Sequence, residues 1–260
     1  MVGRGRREAP PAGRRRPKAA LDVVKKLLTQ RLANPVELST DLMVAQDQSA
    51  FARTVSGVVE VEWAQAQADQ LLRPLGSRWL HTVAVAEEAS LLAGSWPGRD
   101  GDRLVAAAYL HDVGYAPHLV ITEFHALDGA VWLTGLVEPE VVALVAHHSC
   151  AWVEAEIRGL STQLDEMPQP NLELLDALTY CDMTSGPEGQ RVDVEERMDE
   201  VMRRYGPDSL VTRSIEAAGD YLRDAVARAE ARAGQSQGAS GPTNGVVTAA
   251  CQSTIGWSWR

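Results

Sequence analysis

Residues 104–115 read Leu-Val-Ala-Ala-Ala-Tyr-Leu-His-Asp-Val-Gly-Tyr. Leu104 to Leu110 is the longest uninterrupted apolar run in the chain, far short of the ~20 residues a membrane-spanning helix needs. Leu104, Ala108 and His111 follow one another at i, i+4 and i+7, so the run reads as a helix that buries one face and ends it on a histidine. Asp102 is placed to cap such a helix and Gly114 to end it, which predicts a helix over 102–113. A histidine and an aspartate at the end of a buried face are costly unless something compensates them.

The same period continues outward on both sides. It predicts helices over about 19–33, 60–73, 77–94, 123–136, 139–149, 171–184, 194–204 and 208–232. Asp193 with Glu196 forms a capping box, and Gly206-Pro207 separates the last two helices. Ser56 to Trp63 alternates like a strand but has no partner. The expected fold is all-α: a single helical bundle over 60–232, preceded by a helical extension over 19–59. Residues 1–18 and 233–260 read as disordered tails, the first Arg-rich and the second rich in Gly, Ser, Gln and Thr.

Charge narrows the partners. Arg4, Arg6, Arg7, Arg14, Arg15, Arg16 and Lys18 face only Glu8 in the first arm, yet the formal net charge is −10. The body is therefore strongly acidic, which argues against a nucleic-acid polymer as the main ligand. Asp22, Lys25 and Lys26 break up the stretch after the arginines, so no signal peptide is expected there. Cys150, Cys181 and Cys251 have no spacing that suggests disulfides or a zinc clip. A cytoplasmic protein without a membrane partner is expected.

All six histidines lie between positions 81 and 148. His81 shares a face with Val85, Ala89 and Leu92; His125 lines up with Gly129, Trp132 and Leu136; Asp182 follows Leu175 and Leu178. Polar, metal-competent groups thus end apolar faces on separate helices, the arrangement by which bundles build metal sites. Nitrogen and oxygen ligands without thiolate suit manganese or iron, with zinc, nickel and cobalt also open. His118, in the loop after Pro117, reads as an ordinary packed histidine. The chain has no phosphate loop, no Gly-x-Ser-x-Gly elbow and no His-Glu-x-x-His.

The order His81, His111-Asp112, Asp182 resembles the H…HD…D signature of the HD superfamily of metal-dependent phosphohydrolases. Phe124-His125-Ala-Leu-Asp-Gly-Ala130 and Val145-Ala-His-His-Ser149 resemble its dinuclear branch, which includes dinucleoside tetraphosphatases and HD-GYP cyclic-dinucleotide phosphodiesterases. The HD-GYP signature itself is missing here. Asp182-Met-Thr-Ser-Gly-Pro through Arg204-Tyr205-Gly206 resembles the end of bacterial HD hydrolases of undefined substrate.

The resemblance implies a first divalent metal on His81, His111, Asp112 and Asp182, and a second, bridged by Asp112, on His125 and His147. Periodicity does not choose firmly between His147 and His148, since His148 lies on the face of Val141, Leu144 and Val145. The resemblance assigns His147 as ligand and leaves His148, with Asp128, for substrate or proton transfer. Arg78, one turn before His81, could reach a phosphate. The expected activity is hydrolysis of a small phosphate ester or nucleotide by metal-activated water. The alternatives are a regulatory metal- or nucleotide-binding module without catalysis, and a di-iron oxygenase of the same fold.

Overall fold

The computed structural model describes residues 61–238, with side chains to 235; the expectations for 1–60 and 239–260 lie outside this range. Ten α-helices are described: α1 Val61–Leu72, α2 Ser77–Ala93, α3 Asp100–Leu110, α4 His125–Leu133, α5 Pro139–His147, α6 Ala151–Arg158, α7 Ser161–Asp165, α8 Leu172–Met183, α9 Val194–Tyr205 and α10 Leu210–Gly238. Short 3₁₀ turns occupy Arg73–Leu75, Val113–Tyr115 and His148–Cys150. Isolated bridges join Thr134 to Val137 and Ser185 to Arg191; no strand occurs among the described residues. The fold is all-α.

Helix α3 is the centre. Leu104, Ala106, Ala107, Ala108 and Leu110 are completely buried, and these small side chains let α1, α2, α5 and α8 pack closely around it. Around this centre one continuous apolar core joins all the longer helices. Helix α10 closes the bundle over α8, α9 and α6 with Ala218, Leu222, Ala225, Val226 and Ala229. Trp63 of α1 stacks on Trp132 of α4 at 6.4 Å between ring centres.

Several boundaries differ from the sequence reading. Helix α3 starts at Asp100 behind Arg99, so Asp102 lies in its first turn and does not cap it. It stops at Leu110, and the chain tightens into the 3₁₀ turn at Val113 rather than continuing. Trp63 and its two predecessors are helical, which removes the described part of the strand-like segment. Helices α6 and α7 were not expected; they are too short to show a period, and Gly159 in a left-handed conformation ends α6. Helix α10 continues to Gly238 rather than ending at 232. The Asp193–Glu196 capping box forms as expected. Asn171 caps α8 by accepting from the Glu173 and Leu174 amides.

Candidate metal centre

Four helices and one turn bring their polar ends to a single buried point. His81 comes from the first turns of α2, His111 and Asp112 from the end of α3, His125 from the start of α4, and Asp182 from the end of α8. His148 arrives from the turn after α5. His81, His111, Asp112 and His148 are each at most 3% exposed, and Asp182 is 7% exposed.

Asp112 lies between two groups. Its Oδ2 is 3.4 Å from His111 Nε2, and its Oδ1 is 3.5 Å from His125 Nε2. The ligand atoms of His81, His111 and Asp112 lie within 4.8 Å of one another, as do those of Asp112, His125 and His148. His125 Nε2 and His148 Nε2 are 3.2 Å apart. Asp182 Oδ1 is 3.0 Å from His81 Nε2, and Ser149 Oγ donates to Asp182 Oδ2.

Backbone carbonyls set the orientation of two rings. His111 Nδ1 lies 2.7 Å from Ala108 O, and His148 Nδ1 lies 2.7 Å from Val145 O. A carbonyl only accepts, so both Nδ1 atoms carry the proton and both Nε2 lone pairs face the cluster. Beyond His148 the chain makes an abrupt turn. Ser149 and Cys150 both adopt left-handed conformations, at φ 47° and φ 62°, which non-glycine residues seldom do. The turn sends α6 away while leaving His148 and Ser149 at the cluster.

The electrostatics suit a cation. Burial alone would raise the Asp112 pKa, but the Arg78 guanidinium and the His111 and His125 imidazoles outweigh it, holding the carboxylate well below its usual range. Burial likewise opposes ionisation of Asp182, and its contacts with His81, His111 and Arg197 hold it low as well. Burial depresses His81, His148 and, most strongly, His125. His111 differs: burial pulls it down, yet Asp112, Asp182 and the Ala108 carbonyl together raise it. Carboxylates held low beside imidazoles that burial depresses at His81, His125 and His148 favour the deprotonated forms metal ligands require. His111 Nε2 and His81 Nδ1 are buried without a hydrogen-bond partner, and such orphans are rare unless something else binds there. The residues present fit a divalent metal.

A cleft of about 90 Å³ opens onto the cluster, lined by Arg78, Asp112, His125, His148 and Asp182 together with side chains of α9 and α10. Arg78 donates to Asp112 Oδ2 at 2.8 Å and to the Tyr205 hydroxyl at 3.2 Å. Its guanidinium lies 3.9 Å over the Tyr115 ring, and that ring stacks on His125 at 4.2 Å.

Comparison with known families bears on this geometry. Residues 78–180 match the family model described as HD domain. This segment is similar to an HD domain. The match covers His81, His111, Asp112, His125 and His148 and ends just before Asp182. No curated protein and no solved structure matches the chain. HD domains are generally metal-dependent phosphohydrolases. Among the described residues no helix is long and apolar enough to cross a membrane.

Not every expected residue of the HD domain reaches the centre. His147, assigned above to a second metal, is turned away from it; its Nε2 lies 3.1 Å from the Pro168 carbonyl, beside Trp152 and Leu172. His148 stands in its place, because the face of Val141, Leu144 and Val145 continues into it. Asp128 is also removed from the chemistry. Its oxygens accept from the Ile121 and Thr122 amides and the Thr122 hydroxyl, so it anchors the loop before α4. His118 is exposed in its loop rather than packed. The sequence reading missed Ser149, Tyr115, Tyr205 and Arg197. Only the last two lie outside the matched segment, and nothing in the local pattern separates them from surface residues of an acidic helix.

Proposed function

We propose that the chain is a metal-dependent phosphohydrolase acting on a small phosphorylated substrate, with two divalent cations held on either side of Asp112. The observation that carries this reading is one buried carboxylate shared by two groups of metal-competent side chains. His81, His111 and Asp112, with Asp182 beside them, would hold the first ion; Asp112, His125 and His148 would hold the second. Bound ions would supply a water of lowered pKa and positive charge for the phosphate oxygens. The nitrogen and oxygen donors favour manganese or iron, with zinc, nickel and cobalt also compatible.

The protein's own groups have separate tasks. The Ala108 and Val145 carbonyls hold the His111 and His148 rings with Nε2 facing inward, which fixes ligand geometry before a cation arrives. Ser149 orients Asp182. Arg78 lines the cleft and is already clamped by Tyr205 and Tyr115, so it is placed to meet a phosphate oxygen. The cations and arginines together let an acidic protein accept an anionic substrate.

Metal-reconstituted protein is expected to release phosphate from at least one member of a panel of nucleotides and small phosphate esters, anaerobically and with loss on chelation. Phosphate no higher than an Asp112→Ala background with every metal would favour the non-catalytic binding reading instead. Oxygen uptake dependent on substrate would favour the oxygenase.

The two neighbouring histidines give a sharper contrast. His148→Ala is expected to cost roughly 10–100-fold in activity or more and to remove one bound ion. His147→Ala loses a contact to Pro168 and is expected to keep its metal and its turnover. Elemental analysis and phosphate release on both variants check this; the opposite ranking would return His147 to the site.

A further inference from the structure

Helix α9 starts beyond the matched HD segment, yet one of its faces reaches the cluster. Arg197, Val201, Arg204 and Tyr205 follow the i, i+4, i+7, i+8 pattern of a single helical face, and all four line the cleft. Arg197 is 4% exposed. One of its terminal nitrogens pairs with Glu200 at 2.5 Å; the other lies 3.3 Å from His81 Nε2 and 3.7 Å from Asp182 Oδ1. Its Nε has no hydrogen-bond partner. Glu200 also pairs with Arg204 at 3.3 Å, so one carboxylate holds both guanidiniums along the cleft.

This arrangement asks two incompatible things of His81. Its Nε2 faces the Asp182 carboxylate at 3.0 Å, which calls for a proton, and an Arg197 N–H at 3.3 Å, which calls for a lone pair. One ring nitrogen cannot donate and accept at once. A buried guanidinium with incomplete pairing is also costly. Both conflicts disappear if a cation takes the His81 lone pair and the Asp182 carboxylate while Arg197 pairs with an anion.

The size of the cleft limits that anion. At about 90 Å³ it is well below the ~300 Å³ of pockets that enclose a whole small molecule. It has room for a phosphate group at the cluster, with the remainder of a substrate left toward the open side of the cleft. Arg204, its side chain one-third exposed, marks the outer part of the cleft, and Arg197 the inner part.

We propose that Arg197 and Arg204, held by Glu200, form a phosphate clamp supplied by α9, and that the substrate enters by a terminal phosphate, as a phosphomonoester or the end of a polyphosphate. The proposal rests on the metal-dependent reading above. Both arginines contact the anion directly.

The test is calorimetric titration of orthophosphate into metal-reconstituted wild-type protein and its Arg204→Gln, Arg197→Gln and Arg197→Lys variants, with elemental analysis of each. The expected result is phosphate binding weakened about 10–100-fold in both glutamine variants, with metal content retained and partial recovery in Arg197→Lys. A purely structural Arg197 would change melting temperature or metal content and leave the phosphate affinity of metal-loaded Arg197→Gln at the wild-type value. Arg204 is exposed enough that its variant should fold even if Arg197→Gln does not. Unchanged phosphate affinity in Arg204→Gln, with metal bound, would overturn the clamp while leaving the metal centre intact. Wild-type protein that takes up no metal would instead fail the earlier reading, and the clamp with it.

Discussion

Asp112→Ala is expected to lose most of its bound metal and at least about a hundredfold in turnover. Replacing a group that only supports a ligand already costs 10–100-fold in metal affinity or activity. Asp112 stands closer than that, 3.4 Å from His111 and 3.5 Å from His125, and it belongs to both metal-competent groups. Its loss also removes the carboxylate partner of Arg78, which keeps the Tyr205 hydroxyl and the Tyr115 face. Breaking a buried ion pair costs roughly 3–5 kcal/mol, and the 16% exposure of Arg78 places this case toward the lower end. Asp112→Asn keeps the shape and one acceptor, so it should melt closer to wild type while remaining poor in metal. Elemental analysis, phosphate release and thermal melts on both variants separate the two effects. Full metal content in Asp112→Ala would contradict the shared-ligand arrangement.

Gly114→Ala is expected to destabilise the fold by about 3 kcal/mol or more, and to disturb His125 as it does so. A methyl group at position 114 would meet the His125 carbonyl oxygen at 2.0 Å and the Gly129 amide nitrogen at 2.7 Å. Overpacking ordinarily costs about 1–3 kcal/mol, when flexible side chains can give way. Here the obstructing atoms are backbone, so the Val113–Tyr115 turn and α4 must separate. That turn follows Asp112 directly and α4 begins with His125, so the separation would pull one metal-competent group apart. Urea unfolding and metal content of the variant check the prediction; wild-type stability would show that the close approach is not needed.

The sequence made much of this centre legible because its polar groups end apolar faces. His81, His111 and Asp182 could be placed from helical spacing alone, and the structure brings them together. Helical periodicity alone did not choose firmly between His147 and His148. Helical periodicity put His148 on the face of Val141, Leu144 and Val145, and the structure agrees; the motif resemblance pointed to His147, which turns to Pro168. The left-handed pair Ser149 and Cys150 was not legible, since neither residue type announces such a conformation. Helices α6 and α7 were hidden for a related reason: eight and five residues are too few for a period to emerge. Arg197 was least visible. In sequence it is one cation in the acidic run Glu195-Glu-Arg-Met-Asp-Glu200, and only packing of α9 against the bundle turns it inward.

Metal stoichiometry decides whether Asp112 joins two cation sites. Metal-free protein would be titrated with manganese and with iron(II) under nitrogen, and bound metal counted by elemental analysis in wild type, His148→Ala and Asp112→Ala. Two ions per chain in wild type, one in His148→Ala and little in Asp112→Ala is the predicted result. Wild-type protein fully active with one ion per chain, or Asp112→Ala retaining both, would contradict it.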